Sequence, residues 1–263
     1  KLDAGEKPIE YLAGSNPVTL EYDGKTLAGI LELPEGDVVA TAIFAHCFTC
    51  GKDFLPGTRI SRGLASRGIA TLRIDFSGLG QSKGEFSDSS FVTNVDDLIY
   101  AGKWLAEQMV APSLLVGHSL GGAAVLAAAG KIESIKAVST IGAPADPGHV
   151  THMFESEIEK IKSEGQAEVS LAGRKFQVGE KFLSDLDDHD QMETIGALRG
   201  IDVLIMYAPD DAVVGINNAG EIYSALHHPK SFISLSGANH LLTESKDAEY
   251  VAELIRVWAS RVL

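Results

Sequence analysis

The chain has 263 residues, of which 45% are hydrophobic, and a formal net charge of −14. That length and apolar content allow one large buried core, so we expect a single domain with elaborations. The acidic balance argues against nucleic acid as a partner, because binding phosphates depends on clustered Lys and Arg. No apolar run approaches the roughly 20 residues that span a bilayer, and residues 1–15 lack the apolar segment of a secretory signal. The expected location is the cytoplasm, away from membranes.

The sequence begins with a pattern typical of an antiparallel β-hairpin, and after it predicted strands alternate with predicted helices. Residues 18–22 and 26–33 flank Asp23-Gly24, a dipeptide typical of two-residue hairpins. Apolar runs and helical periodicity then predict strands over 38–45, 70–75, 114–117, 137–142, 203–207 and 231–235, and helices over 59–67, 91–109, 120–131, 216–226 and from 247 onward. This alternation predicts an α/β fold with a mostly parallel sheet covered by helices on both faces.

One segment interrupts the alternation. Residues 146–199 lie between two predicted core strands and are rich in charge, whereas helices in such sheets usually return within a few residues. Within this segment we predict a helix over 154–163 and a hairpin that pairs 169–171 with 175–178. We therefore divide the chain into a core, residues 1–145 and 200–263, and a cap or lid insertion, residues 146–199, over the active edge of the sheet.

The clearest chemical motif is G-x-S-x-G at residues 117–121, between a predicted strand and an Ala-rich predicted helix. At such a turn Ser119 is held in a strained conformation with its hydroxyl above the sheet, and the glycines leave room for the neighbouring elements. The N–H of Leu120 lies at a helix N-terminus, where it donates to a developing oxyanion. The alternative is a glycine-rich turn whose serine only caps the helix. The strand before the motif and the helix after it favour a nucleophile.

A serine nucleophile needs a histidine that takes its proton and a carboxylate that orients the histidine. With the chain order Ser, acid, His, the candidates for the base are His227, His228 and His240. The first two precede the last predicted strand. His240 follows that strand and so lies at the carboxyl edge of the sheet, where catalytic groups gather.

Two adjacent carboxylates, Asp210 and Asp211, follow the predicted strand 203–207 on a turn opened by Pro209. Location alone allows either of them to reach the histidine, and the other is then a solvated turn residue. The remaining histidines lack the spacing of metal ligands, so no metal site is expected.

A second amide donor is expected from the loop after the third predicted strand, residues 46–52. The candidate is the N–H of Phe48, and losing one of two such donors typically costs roughly 3 to 4 kcal/mol of transition-state stabilisation. Cys47 and Cys50 in this loop form a C-x-x-C. A thioredoxin-like redox site is one interpretation. We expect instead two reduced thiols packed around the loop, since Gly51 disfavours a helix start at Cys50.

Taken together, these residues resemble the α/β-hydrolase superfamily, in particular the esterase-like hydrolase domain that occurs alone or fused to an OsmC-like domain. The likeness covers nearly the whole chain. It is carried by His-Cys-Phe-Thr-Cys (46–50), Asp-Phe-Ser-Gly-Leu-Gly-Gln-Ser (75–82), Gly-His-Ser-Leu-Gly-Gly (117–122), Gly-Ala-Pro (142–144), His-Val-Thr-His (149–152) and Asn-His-Leu-Leu (239–242). The resemblance implies an α/β-hydrolase fold with a mostly parallel eight-stranded sheet and an inserted cap segment.

The resemblance also implies roles for individual residues. The implied triad is Ser119, Asp211 and His240, and the implied oxyanion hole is formed by Phe48 and Leu120. Asp211 is thereby chosen over its neighbour by its spacing to Val213-Val214. The sequence departs from the wider superfamily at Cys47, where glycine is usual, and at Asn239, where aspartate often stands.

The expected activity is hydrolysis of short to medium acyl esters through an acyl-enzyme intermediate, without a metal or organic cofactor. The expected partner is a small-molecule ester, with an OsmC-like domain attached in fused relatives. Met153 and Phe154 are candidate substrate-binding residues by their position in the insertion. Thioesterase, amidase and lactonase activities use the same residues and stay open. A thiol redox enzyme based on Cys47 and Cys50 and a non-catalytic binding module are the alternatives from other classes.

Overall fold

The computed structural model describes residues 11–263, and the expectation about a secretory signal in residues 1–15 falls mostly outside them. Within the described residues the strands are β1 Gly14–Tyr22, β2 Lys25–Leu33, β3 Ala40–Ala45, β4 Ile69–Ile74, β5 Leu114–His118, β6 Ala137–Ile141, β7 Gln166–Leu171, β8 Arg174–Gly179, β9 Asp202–Tyr207 and β10 Lys230–Ser234. Eight of them form one sheet in the order β1-β2-β4-β3-β5-β6-β9-β10, with β1 and β2 antiparallel to their neighbours and all other pairs parallel.

The helices in the same residues are α1 Leu55–Ala65, α2 Phe91–Gln108, α3 Leu120–Ala129, α4 Ile158–Glu164, α5 Glu180–Asp187, α6 Gln191–Gly196, α7 Asn217–Ala225 and α8 Ser245–Ala259. Two 3₁₀ segments cover Phe86–Asp88 and Pro147–Glu157. The predicted start of α1, residue 59, is wrong by four residues. Pro56 and Gly57 suggest a loop in the sequence, but proline is well tolerated in the first turn of a helix, where its missing N–H costs nothing.

The first hairpin follows from its two turn residues. Asp23 and Gly24 both have positive φ, 48° and 80°, which is the geometry of a two-residue turn whose twist matches the flanking strands. Tyr22 consequently pairs with Lys25, and the pairing continues to Gly14 and Leu33. This predicted element is confirmed.

The central strands are buried over their whole length, as parallel strands covered on both faces must be. On one face α1 and α8 supply Ile60, Leu64 and Val251 to the core, and on the other α2, α3 and α7 form a second, larger apolar layer. The prediction of a mostly parallel eight-stranded sheet between two helical layers is confirmed.

The insertion between β6 and β9 has its own secondary structure. Its hairpin β7–β8 pairs Leu171 with Arg174, as the sequence predicted, and stays separate from the main sheet. The predicted helix 154–163 is wrong at its beginning, because Phe154 has non-helical φ and ψ (−144°, 38°) and α4 starts only at Ile158. The sequence analysis also missed α5 and α6. Apolar side chains of the insertion join the same core layer as α2 and α3.

Across residues 11–263, no helix combines the length and the apolar content that crossing a membrane requires.

Candidate active site

Ser119 stands on a sharp turn between β5 and α3. Its φ of 56° and ψ of −124° lie outside the regions that non-glycine residues favour, at a cost on the order of 1 to 3 kcal/mol. Main-chain hydrogen bonds hold the turn: the Ser119 N–H donates to Ile141 O (2.8 Å) and its carbonyl accepts from Gly122 N (2.9 Å). The strained conformation of Ser119 is therefore held by the sheet on one side and by the first turn of the helix on the other.

Three side chains from three different loops meet at this turn. His240 Nε2 lies 3.0 Å from Ser119 Oγ, and His240 Nδ1 lies 2.6 Å from Asp211 Oδ2. His240 comes from the loop after β10 and Asp211 from the loop after β9, so both reach the serine at the carboxyl edge of the sheet. His227 and His228, the other candidates for the base, are exposed and precede β10.

The charge of Asp211 fixes the tautomer of its partner. Burial acts to raise the pKa of Asp211, but hydrogen bonds from His240 and from the N–H groups of Val214 and Val213 outweigh it and hold the pKa below its ordinary value. The carboxylate is thus ionised and only accepts, so Nδ1 of His240 carries the proton. Nε2 is left with a lone pair directed at the serine hydroxyl. Asp210, by contrast, is exposed.

Two glycines allow the loops to approach this closely. A side-chain atom on Gly121 would overlap the main-chain carbonyls of Ala45 and His46, so only glycine lets the elbow lie against the end of β3. Gly142 has a φ of +59°, and a Cβ there would lie 3.2 Å from His240 Nδ1 and 3.3 Å from Asp211 Oδ2. The hydrogen bond between Asp211 and His240 therefore passes directly beside the main chain of Gly142, where there is no side chain.

The two expected amide donors are Leu120, the first residue of α3 and directly after Ser119, and Phe48, in the loop after β3. Both residues are buried, and within residues 11–263 neither N–H donates to another protein group. Buried N–H groups without a partner are rare in proteins. An oxyanion hole is built from donors of this kind, free to bind a developing negative charge.

His46 orders the peptide unit that carries the Phe48 amide. Its Nδ1 donates to Cys47 O (2.6 Å), and its Nε2 accepts from Phe76 N (3.3 Å). Burial lowers the pKa of His46 to about 4, so the ring is neutral, as this pair of contacts requires. Because a trans peptide directs its carbonyl and N–H to opposite sides, holding the Cys47 carbonyl also aims the Phe48 N–H.

Asp75 secures the far end of the same loop, which the sequence analysis did not foresee. Its buried carboxylate accepts from the main-chain N–H groups of Lys52 (2.7 Å) and Gln81 (2.9 Å) and lies 3.4 Å from Lys52 Nζ. The loop is thus fixed by a buried, hydrogen-bonded charge at one end and by His46 at the other.

The expectation of two reduced thiols is wrong: Cys47 and Cys50 form a disulfide, with their Cα atoms 5.3 Å apart. The turn between them is also closed by a hydrogen bond from Cys50 N to Cys47 O (3.1 Å). The sequence argument weighed long-range stapling and redox motifs but not a local bridge. A three-residue separation brings the two sulfurs together whenever the chain makes such a turn.

The two candidate substrate-binding residues of the insertion face different surroundings. Phe154 is 2% exposed and its ring lies 6.5 Å from that of Phe48, whereas Met153 is 50% exposed. Phe182 joins the same aromatic cluster, 5.3 Å from Phe48 and 6.0 Å from Phe154. Arg174, at the tip of the hairpin, donates to the carbonyl of Thr49 in the loop of residues 46–52, called the oxyanion loop from here on after its expected role. The insertion therefore contacts the oxyanion loop through rings and through a guanidinium group.

In the part of the chain that the structure describes, no group of three or more His, Cys, Asp or Glu side chains is arranged to hold a metal ion. His149 and His152 contact each other, but His149 Nε2 lies 3.0 Å from Val213 O and His152 Nδ1 lies 2.5 Å from Glu155 Oε1.

The sequence and the fold were compared with those of known proteins. Residues 42–254 match the alpha/beta hydrolase family. The esterase domain of a Rhodothermus marinus protein is 43% identical, with a TM-score of 0.76 over 94% of this chain and 98% of that one. Est1E from Butyrivibrio proteoclasticus, solved with ferulic acid bound, is 19% identical (TM-score 0.75; 93% and 98% covered).

Mouse alpha/beta hydrolase domain-containing protein 10 is also 19% identical, with a TM-score of 0.75 and coverage of 94% and 100%. These two distant matches concern the fold alone. No curated protein matches the sequence. The family match over most of the chain and the 43% identity show that the chain belongs to the α/β-hydrolase family and is a hydrolase.

Proposed function

We propose that this hydrolase is a serine carboxylesterase acting on short to medium acyl esters. The observation that carries the proposal is the continuous hydrogen-bonded chain from Asp211 through His240 to Ser119, on a strained turn beside two unpartnered amides. The 43% identical esterase domain supports an ester rather than another acyl substrate. The buried aromatic cluster of Phe48, Phe154 and Phe182 supports a limit on acyl length, because bulky rings packed against the loop after β3 leave less room for a long chain.

In the proposed mechanism, Ser119 Oγ attacks the ester carbonyl carbon as Nε2 of His240 removes its proton. The electron pair of the carbonyl moves to oxygen, which accepts hydrogen bonds from the Phe48 and Leu120 amides. His240 then gives the proton to the departing alkoxide, leaving an acyl-serine. A water molecule, deprotonated by His240, releases the acid and restores Ser119. Asp211 stays ionised throughout and stabilises the imidazolium.

The test is hydrolysis of p-nitrophenyl esters from acetate to decanoate by the wild type, Ser119→Ala and the control Ser156→Ala. Ser156 is an exposed residue of the insertion whose hydroxyl donates to Glu157. We expect Ser119→Ala to lose about 10⁴-fold or more in kcat, as removal of a nucleophile does, and Ser156→Ala to match the wild type. A fluorophosphonate is expected to label the wild type once and Ser119→Ala not at all.

Ester turnover that survives in Ser119→Ala would contradict the mechanism and direct attention to Cys47 and Cys50. Labelling of Ser119 without ester turnover would keep the nucleophile and overturn the substrate class, in favour of a thioester, amide or lactone.

A further inference from the structure

His118, at the variable position of the elbow motif, joins the nucleophile strand to the loop of the base. It is the last residue of β5, directly before Ser119, and is 1% exposed. Its Nε2 lies 2.6 Å from the main-chain carbonyl oxygen of His240. A carbonyl only accepts hydrogen bonds, so Nε2 of His118 carries the proton.

The surroundings of the ring fit a neutral imidazole in this tautomer. Phe54 stacks on it, with ring centroids 5.5 Å apart and planes 20° apart. Nδ1 is buried and has no hydrogen-bond partner within residues 11–263. A lone pair at that position is tolerated more easily than a buried N–H without an acceptor. Burial, reinforced by repulsion that a protonated His240 would exert, lowers the pKa of His118 to about 4.

The main chain of His240 has few other restraints. After Leu235, whose N–H donates to Tyr207 O of β9 (2.6 Å), the loop that follows β10 makes main-chain turn bonds from Ala238 N to Leu235 O (3.2 Å) and from Leu242 N to Asn239 O (3.1 Å). Within the described part of the chain, the contact with His118 is the one hydrogen bond between the main chain of His240 and another element.

We propose that His118 is a positioning residue, whose Nε2–H fixes the main chain of His240 and thereby the contact between His240 Nε2 and Ser119 Oγ. The base lies 121 residues after the nucleophile, yet His118 is adjacent to the nucleophile in sequence. One hydrogen bond thus sets the base relative to the serine. The role rests on the proposed function, because it acts through the triad. A displacement of about 1 Å in such a contact costs about 100-fold in rate.

The test compares His118→Met, which keeps an unbranched apolar chain but has no donor, with His118→Gln, whose amide nitrogen reaches to a similar distance and donates. We expect kcat of His118→Met to fall about 10- to 100-fold with KM within about twofold, since ground-state binding is untouched. His118→Gln is expected to recover most of the loss. The fluorophosphonate labelling rate should follow the same order, with equal final labelling in all three proteins.

Unchanged kcat in His118→Met, or an equal loss in both variants, would overturn the proposal, since a merely structural role does not depend on a donor. A measurement on the wild type covers the case in which a variant fails to fold. In ¹⁵N-histidine NMR, the ring that contacts Phe54 should show a protonated Nε2 and a bare Nδ1 from about pH 5.5 to pH 9. A ring that titrates near its ordinary pKa, or that carries its proton on Nδ1, would overturn the proposal even if no ester is hydrolysed.

Discussion

The triad and the insertion are built from different interactions. Asp211 and His240 are held by hydrogen bonds that each include a main-chain atom: Asp211 accepts from the N–H groups of Val213 and Val214, and the carbonyl of His240 accepts from His118 Nε2. The insertion contacts the loop after β3 through aromatic rings and through a guanidinium group at the tip of its hairpin.

Backbone partners fix atoms to a particular distance, whereas ring contacts tolerate exchange of side chains. We infer that the sheet edge determines the chemistry and that the insertion determines the fit of the substrate.

The largest effect is expected from a substitution that keeps the shape of the Asp211 side chain but removes its charge. Asp211→Asn should lower kcat about 10³- to 10⁴-fold, because the amide favours the wrong tautomer of His240. Asp210→Asn is the matched control, since Asp210 is adjacent but exposed, and should match the wild type in steady-state kinetics on a p-nitrophenyl ester. A comparable loss in both variants would contradict the assignment of the acid.

The next largest effect is expected on the free energy of unfolding at acid pH. Burial lowers the pKa of His46 and of His118 to about 4, so between about pH 6.5 and pH 4 the unfolded chain binds protons that the folded chain does not. The two neutral rings contribute fully to the free energy of unfolding above pH 6.5, and this contribution is lost as the pH falls toward 4. We expect the free energy of unfolding in urea to fall by on the order of 2 kcal/mol for each histidine between pH 7.5 and pH 4.5.

His118→Gln should remove about half of this fall. Ser156→Ala, a change in the insertion at an exposed side chain that does not titrate in this range, serves as the control and should leave the fall as in the wild type. Equal free energies at pH 7.5 and pH 4.5 in the wild type would contradict the burial of neutral rings at the site.

A smaller effect is expected at Gly142, where added bulk meets the triad. Gly142→Ala should lower kcat about 10-fold, because the new Cβ crowds the His240–Asp211 contact. Gly200→Ala separates this effect from backbone strain, since Gly200 also has positive φ (+69°) but open space around it. Thermal unfolding should show a loss of about 1 kcal/mol in both variants. If Gly200→Ala also lowered kcat, the loss in Gly142→Ala would come from backbone strain and not from crowding of the His240–Asp211 contact.

The smallest expected effect tests the insertion. Phe154→Leu trims the aromatic cluster beside Phe48 and should raise the kcat/KM ratio of octanoate to acetate esters about 2- to 5-fold, because one methylene of pocket space is worth about 1 kcal/mol. Phe91→Leu, at the buried start of α2, controls for general loosening and should leave the ratio unchanged. An unchanged ratio in Phe154→Leu would contradict a role of the cluster in acyl length.

The sequence predicts those elements of the fold that depend on patterns among neighbouring residues. The hairpin at Asp23-Gly24, the buried strands and the strand-turn-helix around Ser119 follow from turn chemistry and periodicity, and the structure has them within a few residues. The contact between His118 and His240 has no local signal, because it joins residues 122 positions apart. The short helices α5 and α6 were missed because segments of eight and six residues give little periodicity.

The support that the insertion gives to the oxyanion loop has a consequence for divergence within the family. The ring of Phe48 packs on Phe154 and Phe182, and the carbonyl of Thr49 accepts from Arg174. A lineage that replaces the insertion to reach a new substrate also removes these supports from a loop that binds the oxyanion in the proposed mechanism. In that mechanism selectivity and turnover are inherited together, and a grafted insertion has to supply its own contacts to the Phe48 ring and to the Thr49 carbonyl.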